Sequence, residues 1–239
     1  MLRLLLGSLL LAAGPLLAQT VDPADANTLQ ISGNFADVEV VASEDGQVHY
    51  THTVTVNGRS VPDLGEIEIE RSGDGILLRE SRPSQADLSK LCRNAEDGRG
   101  YNHCNSEIRF RVAVPPGLQV AVQTIYGGIT ATDFPGLTSA QSTYGAVTVQ
   151  YAAVAPPATL DLYSNYGDVD LSLPADVAAE VELVTQYGSL LTDFDIAIDA
   201  AASEQRDFYE RVVGTLGTGG GTRVTCRSPY DTVYLRRSK

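Results

Sequence analysis

The chain has 239 residues with 17 Lys+Arg against 30 Asp+Glu, a net charge of −13 at pH 7, and 43% hydrophobic residues. That hydrophobic share supports a packed core and excludes wholesale disorder. The negative charge excludes nucleic acid and anionic membrane surfaces as partners, because both would repel it.

In chain order, residues 1–18 carry the pattern of an export signal. Arg3 supplies the positive start, Leu4 to Leu17 a short apolar stretch, and Ala18 a small residue at the cleavage point. The stretch is shorter than the roughly 20 apolar residues that span a bilayer, and no later run is long enough either. Residues 19–239 are therefore expected to be exported as one domain without a transmembrane segment, either periplasmic or at the cell surface. Ile31, then Phe35-Ala36, then Val38 and Val40 mark a first pair of short strands around a bend. His49 and His52 follow on a predicted strand, on opposite faces and so unable to share one metal. Residues 82–105 are polar, carry Cys92 and Cys104, and are expected to leave the core as a lateral loop.

The central stretch repeats. Tyr126-Gly127, Tyr144-Gly145, Tyr166-Gly167 and Tyr187-Gly188 are spaced by 18, 22 and 21 residues. Aligned on those glycines, Val122, Ala140, Leu162 and Leu183 form one apolar column. Thr124, Ser142, Ser164 and Thr185 form a hydroxylic column, and Ile129, Val147, Val169 and Leu190 a second apolar one. Alternation of period two on both sides of a glycine predicts two half-buried strands joined at a bend, where glycine can take φ > 0. Pro156-Pro157 marks a loop between repeats. Residues 199–211 are expected to form a second excursion, with a short helix through 200–209. Gly217–Gly221 forms a tight turn into a last copy, in which Cys226 takes the apolar column, Ser228 the hydroxylic one, and Tyr230-Asp231 replaces Tyr-Gly.

A unit of about 20 residues cannot bury its own apolar face, so units must stack. The expected fold is all-β, a single-domain parallel β-solenoid, with an antiparallel sandwich as the alternative. Stacking would align Tyr126, Tyr144, Tyr166, Tyr187 and Tyr230 along one corner. There they form either a register-fixing ladder or a strip for binding sugar rings.

The Tyr-Gly-Asp/Ala-Val turns resemble the putative-adhesin family of bacterial β-strand-repeat envelope proteins. Val114-Pro115-Pro116-Gly117, the Gly217–Gly221 run and the opening Phe35-Ala36-Asp37-Val38-Glu39-Val40 share the resemblance, which covers residues 29–237. It implies a right-handed β-solenoid in an exported bacterial protein, and brings no catalytic residues.

Candidate chemistry is sparse. In an exported chain Cys92 and Cys104 would pair and staple their loop, leaving Cys226 as a small core residue. Asp133, Asp168, Asp170, Asp193 and Asp195 are expected to point outward on adjacent repeats, as a solvated face, a Ca²⁺ site or the paired acids of a polysaccharide-cleaving enzyme. No nucleophile elbow, zinc-protease motif or phosphate loop is present. The expected function is non-enzymatic and needs no cofactor: an adhesin-like surface for a glycan or protein partner. The alternatives are a periplasmic structural or sensing module and, behind it, the polysaccharide-active enzyme.

Overall fold

The structure, a computed structural model, describes residues 18–94 and 105–238. The expected signal segment, apart from Ala18, lies outside the described residues. Strands β1 (Gln19–Val21), β2 (Thr28–Gly33), β3 (Asp37–Ala42), β4 (Val48–Val56), β5 (Arg59–Ser60), β6 (Glu66–Ser72) and β7 (Gly75–Arg82) precede one helix, α1 (Gln85–Asn94). Then follow β8 (Ser106–Val114), β9 (Gln119–Thr124), β10 (Ile129–Thr132), β11 (Leu137–Ser142), β12 (Val147–Gln150), β13 (Thr159–Ser164) and β14 (Val169–Leu173). The chain ends with β15 (Ala179–Thr185), β16 (Leu190–Thr192), β17 (Ala197–Ile198), β18 (Glu204–Arg206), β19 (Tyr209–Leu216), β20 (Thr222–Ser228) and β21 (Val233–Arg237).

These strands form two large sheets. One has the order β1-β4-β8-β3-β10-β12-β14-β21-β16, the other β17-β19-β15-β20-β13-β11-β9-β2-β7-β6. Each repeat contributes one strand to each sheet, and inward side chains from both meet in a single core. In β13 and β14 these are Leu160, Leu162, Val169, Leu171 and Leu173, all fully buried. Each such side chain contributes about 1.5–3 kcal/mol by leaving water.

The columns aligned from sequence reappear as strand register. Val122 pairs with Ala140, Ala140 with Leu162, Leu162 with Cys226 and Cys226 with Leu183. All these pairings are parallel, as are those linking β8, β3, β10, β12, β14, β21 and β16 in the other sheet.

The expected single parallel solenoid is nevertheless corrected in two respects. First, the sheets are mixed. β4 pairs antiparallel with β8, β6 with β7 and β19 with β15, so antiparallel strands flank the parallel run at both ends of one sheet and at one end of the other, which finishes at β16. Second, the stacking order departs from chain order. The β20/β21 repeat sits between β13/β14 and β15/β16, and β7/β8 stacks beyond β2/β3.

The β7/β8 repeat is a seventh unit without a Tyr-Gly bend, because the excursion between the two strands takes the bend's place. That excursion opens with α1 rather than a loop. Ser84 Oγ accepts from Asp87 N–H at 3.2 Å, while the Asp87 carboxylate accepts from Ser84 N–H at 3.0 Å. This is a reciprocal N-terminal cap. The expected helix through 200–209 is absent. Residues 204–206 instead pair with β19 as one arm of a hairpin, turning at Phe208, whose φ is 59°.

Candidate functional site

Each bend is built from its hydroxyl outward. Ser142 Oγ accepts from Gly145 N–H at 2.9 Å within its own bend and donates to Gly127 O of the neighbouring repeat at 3.0 Å. Ser164 does the same with Gly167 N–H and Gly145 O, and Ser228 with Asp231 N–H and Gly167 O. Thr185 continues the chain with Gly188 N–H and Asp231 O. One hydroxyl thus closes its own turn and ties it to the next, and all of these hydroxylic residues are buried.

The bend glycines serve a different purpose from the one expected. Gly127, Gly145, Gly167 and Gly188 are absent from the residues with positive φ. What they permit is close stacking of backbone. A Cβ on Gly127 would fall 1.8 Å from Ala36 O, one on Gly145 2.2 Å from Gly127 O, and one on Gly188 1.8 Å from Asp231 O. Positive φ belongs instead to Gly217, Gly219, Gly220 and Gly221, the turn into β20.

This close stacking brings the aromatic residue of every bend into one ladder. Phe35, Tyr126, Tyr144, Tyr166, Tyr230 and Tyr187 follow one another with ring centroids 5.1, 5.2, 5.2, 4.9 and 5.3 Å apart, tilted by at most 19°. Phe208, at the hairpin turn, extends the row from Tyr187 at 5.7 Å and is 74% exposed. The five tyrosines are 48–60% exposed. Each ring face within the row is covered by its neighbour, so what meets solvent is a continuous line of ring edges and phenol groups. Sugar rings have no room to stack on the faces inside the row. Each ring contact contributes about 0.5–1.5 kcal/mol.

The first bend of the row lacks a preceding Tyr-Gly turn to receive its amides. Elsewhere, Tyr126 N–H donates to Asn34 O at 2.9 Å and Tyr144 N–H to Ile125 O at 2.9 Å. At the start, Glu80 substitutes. Its Oε2 accepts from the N–H groups of Asn34, Phe35 and Ala36 at 2.6, 2.8 and 3.1 Å. His52 Nε2 lies 3.2 Å from the other oxygen, and both side chains are buried. Burial alone would raise the Glu80 pKa, but the hydrogen bonds from His52 and the three amides outweigh it and hold the group below the ordinary glutamate value. His52 Nδ1 is buried with no partner among the described residues, and a Cβ on Gly65 would fall 2.7 Å from it.

Most of the remaining candidates serve separate partners. Asp170 is paired with Arg236 at 3.0 Å and Asp195 with Arg237 at 3.7 Å. Asp133 accepts from the N–H groups of Ala152 and Ala153. Asp168 accepts from Thr232 N–H; burial and the adjoining Asp231 raise its pKa above the ordinary aspartate value. Among the described residues no group of three His, Cys, Asp or Glu is arranged to hold a metal. Cys226 is a free thiol buried in the apolar column, and burial pushes its pKa well up. Cys92 lies in α1, while Cys104, its expected partner, lies outside the described residues. His49 pairs with Asp45 and His52 with Glu80, so the two histidines serve separate partners.

No family model and no curated protein matches the chain. Among solved structures, the fold is similar to the crystal structure of a putative cell adhesion protein from Clostridium sporogenes, with a TM-score of 0.57 and 11% identity. The match covers 92% of this chain and 98% of that one. At this identity the likeness is one of fold. No helix among the described residues is long and apolar enough to cross a membrane.

Proposed function

We propose that the protein is an exported, non-enzymatic binding module of the adhesin-like type, engaging a glycan or protein partner along its aromatic row. The observation that carries this reading is the exposure of the row. The five tyrosines and Phe208 are among the most exposed large hydrophobic residues described, yet they form one ordered line across the stack. Ordered aromatic surface left in water is the usual mark of an interaction site. Asp170 and Asp195 are each paired with an arginine and Asp133 with backbone amides, which favours binding over hydrolysis by those acids. The fold shared with a protein described as a putative cell adhesion protein supports the same reading.

Protease treatment of intact cells, compared with cells whose outer membrane has been permeabilised, tests where the module works. Digestion on intact cells is the expected result. Protection until permeabilisation would replace surface adhesion with a structural or sensing role in the periplasm.

A further inference from the structure

Beside the foot of the aromatic row, the outer face of one sheet holds a cleft of about 510 Å³ whose lining includes Ser32, Arg79, Gln123, Gln141, Thr143 and Tyr163. Ser32 pairs in register with Gln123, Gln123 with Gln141 and Gln141 with Tyr163. One polar or aromatic side chain therefore recurs on each successive strand, about every 4.8 Å.

The cleft presents no unpaired charge. Arg79 is held by Glu68 and Glu70, and the Glu80 carboxylate is occupied by His52 and three amides. Asp161, next to Tyr163, is taken by both oxygens on Arg227 at 2.8 and 3.0 Å. Arg227 also sits 5.6 Å from the centre of the Tyr163 ring, and Tyr163 OH donates to Asn165 at 3.1 Å, so that ring is held in place.

Open hydrogen-bonding capacity remains at two amides. Gln123 has no side-chain hydrogen bond among the described residues. Gln141 donates to Ser139 and Asp161 at 3.3 and 3.4 Å, leaving its carbonyl oxygen open. Strands β2, β9, β11 and β13 are all internal, with neighbours on both sides, so a peptide would find no strand edge to pair with. In a chain of net charge −13 an anionic ligand is repelled. What fits is a ligand that is uncharged, rich in hydroxyls and periodic.

We propose that this cleft is a subsite for an uncharged, extended β-linked glycan, with one ring against Tyr163 and ring hydroxyls paired to Gln123 and Gln141. Such a glycan advances by a step comparable to the strand spacing with each sugar. The proposal rests on the binding-module reading and gives it a ligand class.

The test is an NMR titration of the full chain with cellohexaose and chitohexaose, following the side-chain amide signals of Gln123 and Gln141. Saturable shifts of those signals are expected with at least one hexamer. Affinity should fall about tenfold or more in the Gln123→Ala/Gln141→Ala double variant and in Tyr163→Ala. All three substitutions are on an outer sheet face, and circular dichroism confirms that the variants fold. Absence of shifts with both hexamers overturns the proposal, as does equal or stronger binding of oligogalacturonate. Loss of cell binding in a tyrosine-row variant with full retention in the glutamine variant would also overturn the cleft while leaving the binding module standing.

Discussion

The Cβ positions at Gly145 and Gly128 separate two kinds of glycine that look alike in sequence. A methyl on Gly145 would overlap backbone atoms of Gly127 and Gly128 at 2.2–2.5 Å, whereas on Gly128 it would meet Ala146 O at 3.2 Å. Gly145→Ala should therefore cost about 3 kcal/mol in a denaturant melt and Gly128→Ala under about 1 kcal/mol. Equal costs would mean that the bends do not stack closely. Glu80 makes a second prediction at this scale. Its folded pKa lies below the ordinary value. The stability contributed by its ionised form is thus fully present above the unfolded pKa and is lost as pH falls through the folded one. Glu80→Gln should lose about 2–4 kcal/mol at pH 7, a gap that narrows in acid below about pH 4. A gap independent of pH would show that the Glu80 charge does not hold the first bend.

At the scale of the repeat, the hydroxyl of each bend joins two units. Ser164→Ala would leave Gly167 N–H and Gly145 O without that partner and should cost about 1–3 kcal/mol. Ser139→Ala, on the outer face of the neighbouring strand, should cost under about 0.5 kcal/mol by the same melt. A neutral Ser164→Ala would remove the hydroxyl chain from the account. The membership of these repeats was legible in the sequence because Thr124, Ser142, Ser164, Thr185 and Ser228 occupy one column and bury the same kind of group. Their spatial order was not. Equivalent repeats are interchangeable as neighbours, so nothing in the columns says that Cys226 lies between Leu162 and Leu183. The β7/β8 repeat was hidden because its bend is replaced by an excursion. Two local signals marked it: the Ser84–Asp87 cap, and Glu80 at an inward position after Ile76 and Leu78. Residues 200–209 carry a helix-friendly composition, but pairing of 204–206 with β19 prevails over local preference.

Across the whole molecule, antiparallel strands cover both ends of the parallel stack in one sheet and one end in the other, where β16 is left as the open edge. β16 is a three-residue edge strand paired on one side with β21, whereas β12 is paired on both sides. The backbone amides of β16 should therefore exchange with solvent at least about tenfold faster than those of β12; uniform exchange would contradict this ordering of the stack. The same architecture holds the half-buried Phe35, five exposed tyrosines and Phe208 in one row, and the proposed function depends on that row contacting a partner. The most direct measurement compares saturable binding of the labelled protein to intact cells and immobilised glycans before and after Tyr144→Ser/Tyr166→Ser. Binding is predicted to fall at least tenfold, with β-sheet circular dichroism unchanged and stability lowered by about 2–4 kcal/mol from lost ring contacts. Full binding by the folded variant would contradict the account, and collapse of the sheet signal would assign the tyrosines to holding the stack together instead.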